Sequence, residues 1–124
     1  NKGVREIMKK FQKKIIQKNK RICVEGRDIA STILKKNPHY DIAFYFTCNL
    51  NLASIRRWKD LKKKVPLKEV KKSLSIRTRL DKKRKHSPLK KMRDAILIRT
   101  DKLNKKKVLL KMSQEIEKIN YKTL

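Results

Sequence analysis

Arg77, Asp81 and Arg84 follow one another at steps of four and three residues. On a helix that spacing puts all three on one face, and continuing it backwards reaches Leu74 and Val70. A stripe that starts apolar and ends charged reads as a helix that packs inward at one end and lines a cleft at the other. Arginine offers a planar, bidentate fork for phosphate, and a carboxylate between two such forks holds them or meets a ligand's hydroxyls. A second group of this kind is Arg27-Asp28, directly after Gly26 at the end of the apolar stretch "RICVEG". In open α/β sheets ligands bind beyond the carboxyl ends of the strands, which is where Arg27 and Asp28 are expected. Gly26 would let the backbone turn there, or let a ligand come close.

Arginine carries more information than lysine in this chain. The 124 residues hold 38 Lys+Arg against 11 Asp+Glu, a net charge of +27, and only ten of the 38 are arginine. Lysine, asparagine and isoleucine are all frequent, as AT-rich coding DNA produces. The charge still predicts attraction to polyanions: nucleic acid, phosphorylated ligands or an acidic membrane surface. Arg5, beside Val4 at the start of an amphipathic stretch, is a third candidate. Arg56 and Arg57, on a helix after an apolar strand, are a fourth, able to meet phosphates or to face water. His39 and His86 stand apart from any Ser, Cys or carboxylate at motif spacing. Trp58 reads as helix packing. Aromatic residues make up 6% and do not interleave with the basic runs, which argues against a single-strand nucleic-acid platform. Cys23 and Cys48 show no metal spacing and read as buried thiols of a reducing compartment. No 18-residue apolar run and no signal-peptide h-region is visible, which predicts a cytoplasmic protein without a membrane.

The elements that must position these residues follow from periodicity. Val4, Ile7, Met8, Phe11 and Ile15 predict a helix over about 3–19, with that stripe inward. "RICVEG" reads as a strand. "DIAFYFTC", 41–48, reads as a strand buried on both faces, and "AILIRTD", 95–101, as a third. Helices are expected over about 50–64, 66–84, where Pro66 suits a first turn, and 105–120. "HSPLKK" ends the third of these four helices. Strands of this kind alternating with helices predict an α/β fold with a parallel sheet of about three strands and flanking helices.

Taken in order, "VRE" at 4–6, "EGRDI" at 25–29, "FYFTCN", "RTRLDKKRKHSPL" at 77–89 and "DAILIRTDKL" at 94–103 resemble the bacterial cytidylate kinase, or (d)CMP kinase, family. The collinear set, more than any single motif, carries the resemblance along essentially the whole chain. It implies an incomplete P-loop fold of the nucleoside monophosphate kinase type. It also implies transfer of the γ-phosphoryl group of ATP to CMP or dCMP with Mg2+, and a monomer when complete. By resemblance, Arg5 and Asp28 belong to the side of the CMP base, Arg27 and Arg84 grip the acceptor phosphate, and Arg77 and Asp81 meet the sugar. Arg56 or Arg57 stabilises the transferring group at the lid, about 50–90. Thr47 stands where the family often has Asp, and Ala53 where it often has Arg.

The sequence contains no G-x-x-x-x-G-K-[ST] and only two glycines. In the resembled family that loop and a small acceptor-binding insert precede the point where this chain begins. The expectation is therefore that residues 1–124 form the C-terminal part of one domain, and that alone they are unstable and do not turn over ATP. Metal ligands are not expected in this chain, and nucleic acid would bind only nonspecifically through charge. The alternative from another class is a small basic RNA-binding or ribosome-associated protein. It accounts for the charge but not for Arg77, Asp81 and Arg84 in register with an apolar stripe.

Overall fold

In the computed structural model, which describes residues 1–122, the chain divides into two compact units. One is 1–41 with 80–93; the other is 42–79 with 94–124. The elements run α1 (Lys2–Lys18), a five-residue π-helical turn (Ile29–Ile33), β1 (Phe44–Thr47), α2 (Leu50–Asp60), α3 (Leu67–Lys83), β2 (Ile96–Arg99) and α4 (Lys105–Lys122).

The first unit holds α1 and the π-turn. Asn1 caps α1 by accepting from the Gly3 N–H at 2.9 Å. A small core of Ile16, Ile33 and Leu34 gathers Val24, Ile29 and Tyr40 around it. The helix forms where its periodicity predicts, but the expected stripe faces outward. Val4, Ile7, Met8, Phe11 and Ile15 are between 42% and 68% exposed, while Ile16 is buried. A 17-residue helix can present only one face to so small a core, and the face through Ile16 is the one used.

"RICVEG" is not a strand. Residues 22–26 make no ladder pairing with any described residue, and a segment without a partner forms no sheet. Cys23 is consequently exposed rather than buried, and Cys48 is half-buried.

In the second unit β1 and β2 pair in parallel, Phe44 with Ile96 through Thr47 with Arg99. Among the described residues the sheet has these two strands, against the three expected. With one neighbour apiece the strands are only partly covered: Ala43, Ala95 and Ile98 are buried, whereas Phe46 is exposed. The α/β class and the parallel pairing are as expected. Asn49 caps α2 by accepting from the Asn51 N–H at 2.8 Å. α2 ends in a Schellman pair, Lys63 N–H to Trp58 O and Lys62 N–H to Lys59 O, both at 2.9 Å. Lys62, at φ 52°, occupies the left-handed position that glycine usually fills. Lys63 Nζ sits 5.0 Å from the centre of the Trp58 ring, so that ring is covered by a cation. Asn104 opens α4, accepting from the Lys107 N–H at 2.9 Å.

Candidate functional site

In the first unit Arg27 and Arg84 converge on Asp81, and Asp28 lies beside Arg84. The last turn of α3 carries Asp81, and Arg84 follows just past the helix end, its N–H still donating to Leu80 O at 3.0 Å. Arg27 Nε approaches Asp81 Oδ2 to 2.6 Å. Arg84 Nη1 lies 3.2 Å from Asp81 Oδ1, and Arg84 Nη2 lies 3.9 Å from Asp28 Oδ2. Arg84 Nε also donates to Ser87 O. The Arg84 guanidinium is thus held by two carboxylates and a carbonyl. A fork oriented this way loses little further freedom on meeting an anion.

Local backbone structure holds these side chains. Asp28 opens the π-turn: Thr32 N–H donates to Asp28 O at 2.9 Å, and Leu34 N–H to Ile29 O at 2.8 Å. Ser31 Oγ then donates to Pro88 O at 3.3 Å, and Leu89 N–H to Asp81 O at 2.8 Å. The Ser31 bond ties the 27–34 segment to the chain after α3, and the Leu89 bond holds that chain back against the last turn of α3. Single π-turns recur at functional positions. Five residues are too few to show a period, so sequence reasoning missed this turn and Ser31 with it.

Gly26 serves packing rather than a turn. Its φ is not positive, and a Cβ there would stand 2.7 Å from Ile29 Cγ1 and 2.9 Å from Cδ1. Ile29 lies against the Ile16–Ile33–Leu34 core and has little room to yield. Gly26→Ala is expected to destabilise the protein by about 1–3 kcal/mol, the usual cost of overpacking. Thermal unfolding of the natural gene product measures it, and an unchanged Tm would show that Ile29 moves freely.

Arg5 is exposed in the first turn of α1, at a shallow cleft lined by Lys2, Glu6, Lys9, His86 and Ser87. Ser87 belongs to both places, since its carbonyl accepts from Arg84. The Lys9 ammonium, 3.0 Å from Glu6 Oε1, holds the Glu6 carboxyl below its ordinary pKa by hydrogen bond and charge.

In the second unit Arg77 lies on α3 and is exposed, although its spacing matches buried Val70 and half-buried Leu74. Arg56 is half-buried and its guanidinium binds Thr100 and Cys48; Arg57 is exposed.

Residues 1–118 match the cytidylate kinase family. The chain belongs to that family. It is 34% identical over 118 residues to a cytidylate kinase of Clostridium botulinum, covering 93% of this chain and 52% of that protein. It is 31% identical over 117 residues to a cytidylate kinase of Rickettsia akari, covering 92% and 52%. A cytidylate kinase of Thermosipho melanesiensis is 35% identical over 109 residues, covering 86% and 48%. The chain therefore spans about half the length of the relatives it matches. This cytidylate kinase family chain brings Arg27, Asp28, Asp81 and Arg84 into one cluster, with Arg5 at the adjoining cleft.

Among the described residues no group of three or more His, Cys, Asp or Glu could hold a metal ion. No helix among them is long and apolar enough to cross a membrane.

Proposed function

We propose that the protein containing this chain is a (d)CMP kinase, moving the γ-phosphoryl group of ATP to CMP or dCMP to give CDP or dCDP. The observation that carries the reading is the Arg27–Asp81–Arg84–Asp28 cluster in a chain of the cytidylate kinase family. Phosphoryl transfer asks the protein for positioning and positive charge more than for covalent chemistry. A pair of arginines oriented by one carboxylate supplies both to an acceptor phosphate.

Within the first unit, Arg27 and Arg84 hold the acceptor phosphate. Asp81 sets their directions and meets the sugar side, and Asp28 and Arg5 face the base side. Within the second unit, Arg77 belongs to the sugar side, and the pair Arg56-Arg57 serves the transferring group at the lid, about 50–90. Both units are parts of one nucleoside monophosphate kinase domain, of which 1–124 is the C-terminal part. The ATP phosphates need a cradle of backbone N–H groups that this sequence, lacking G-x-x-x-x-G-K-[ST], does not contain. Residues 1–124 as an isolated polypeptide are therefore expected to form no CDP.

The test is CDP formation from ATP by the purified natural gene product, with CMP, dCMP, UMP and AMP in parallel. CMP and dCMP are expected to react well ahead of UMP and AMP. Equal use of AMP or UMP would assign a different acceptor. No turnover at all, with steeply salt-dependent RNA binding, would replace the reading by a basic RNA-binding protein.

A further inference from the structure

Arg56 and Arg57 are adjacent on α2 but point to different surroundings. Consecutive helical residues are turned by about 100°. Arg57 is exposed, whereas Arg56 reaches back to the ends of both strands. Its Nη2 donates to Thr100 O at 2.8 Å, and its Nη1 to Thr100 Oγ1 at 2.9 Å and Cys48 Sγ at 3.5 Å. Thr100 Oγ1 passes the bond on to Thr47 O at 3.2 Å, and Thr100 N–H donates to that same carbonyl at 2.9 Å. Asn49, the α2 cap, donates its N–H to Asp101 Oδ1 at 2.8 Å. Thr47 ends β1, and Thr100 and Asp101 directly follow β2. Two turns of α2 are thereby tied to the carboxyl ends of a parallel pair, the side on which such sheets bind ligands.

We propose that Arg56 is a positioning residue: it clips α2 to the carboxyl ends of β1 and β2, and so fixes the direction in which Arg57 is presented to the transferring phosphoryl group. The proposal rests on the (d)CMP kinase reading and divides between two residues a role that the resemblance leaves shared. The reason is geometric. The Arg56 fork takes the hydroxyl and the carbonyl of one residue at once, which fixes its plane and with it the rotation of the helix. A lysine ammonium could reach either acceptor but has no plane to fix. Arg57 has no such tie and depends on α2 for its aim. Positioning errors of about 1 Å cost on the order of 100-fold in rate.

The experiment is steady-state kinetics of the natural gene product, run well below each variant's Tm on protein confirmed folded by circular dichroism. Arg57→Gln is expected to lower kcat by about 100- to 1000-fold, as loss of one preorganised donor to a developing charge does. Arg56→Gln is expected to lower kcat by about 10- to 100-fold with the KM for CMP within about twofold, as displacement of an aimed group would. Arg56→Lys is expected not to restore it. Thr100→Val, which keeps the carbonyl bond and removes the hydroxyl, is expected to show the same split at a smaller size.

The deciding variant is Arg56→Gln with Arg57→Gln. If Arg56 acts through Arg57, the double variant is no slower than Arg57→Gln alone. Losses that multiply, or an unchanged kcat in Arg56→Gln, overturn the positioning role while the kinase reading stands. A wild type that forms no CDP overturns the kinase reading and this proposal with it.

Discussion

Asp81→Asn is expected to lower both the stability of the protein and its affinity for CMP. The Asp81 carboxylate is 14% exposed and meets Arg27 at 2.6 Å and Arg84 at 3.2 Å. Asparagine keeps the shape and removes the charge. Two guanidinium groups then share the site with Asp28 as the nearby carboxylate, which reaches Arg84 only at 3.9 Å. Breaking a fully buried pair costs about 3–5 kcal/mol. Arg27 is 32% and Arg84 23% exposed, so water takes up part of the loss. A figure of about 2 kcal/mol is the expectation after that discount. It corresponds to a fall in Tm of about 5–10 °C. The arginines also lose the group that aims them, so CMP binding is expected to weaken by about 10- to 100-fold, the worth of one charge-assisted hydrogen bond or a little more. Thermal unfolding and CMP titration of the natural gene product read the two effects. A Tm within 1 °C of wild type, roughly 0.2 kcal/mol by the same scaling, would mean that Asp81 does not organise the cluster.

Residues 1–124 expressed alone are expected to associate, and to do so more as salt is added. Val4, Ile7, Met8, Phe11 and Ile15 form one exposed apolar stripe along α1, and Leu109 and Leu110 on α4 are 64% and 59% exposed. Contiguous apolar surface of this kind marks an interaction face or an aggregation liability. A net charge of +27 opposes contact between copies. At about 0.01 M ionic strength the screening length is roughly 30 Å and repulsion should keep copies apart; at about 0.15 M it falls to roughly 8 Å and the apolar stripe should win. Sedimentation at both ionic strengths would show 14.8 kDa monomer at the first and larger species at the second. Replacing Ile7 and Phe11 together by Lys should abolish the salt-induced species. A monomer at both ionic strengths, with one cooperative thermal transition, would show that this face needs no cover.

The local elements were legible in the chain's own residue pattern. The 3.6-residue spacing of apolar positions places four helices within a few residues of where they lie, with Pro66 and "HSPLKK" bounding α3. "FYFT" and "ILIR" are strands, and they pair in parallel as the apolar runs around them predict. The resemblance to cytidylate kinases rests on the order of short motifs, and order survives without any folding. These signals act within a turn of helix or along one strand, so a single window of sequence contains both members of each interaction.

Contacts that cross long stretches of chain were not legible in that pattern and were set by folding. Arg27 pairs with a carboxylate at position 81, and Arg56 with a carbonyl at position 100. Neither window names its partner, because many carboxylates and every carbonyl would satisfy an arginine equally well. Which face of α1 is buried depended on the size of the core it met. Whether "RICVEG" is a strand depended on a neighbour to pair with, and its own apolar residues could not supply one. Gly26 is small because of Ile29, three residues away but turned towards it by a π-turn too short to leave a period. A side chain's type is local, whereas its partner is set by where folding brings the rest of the chain.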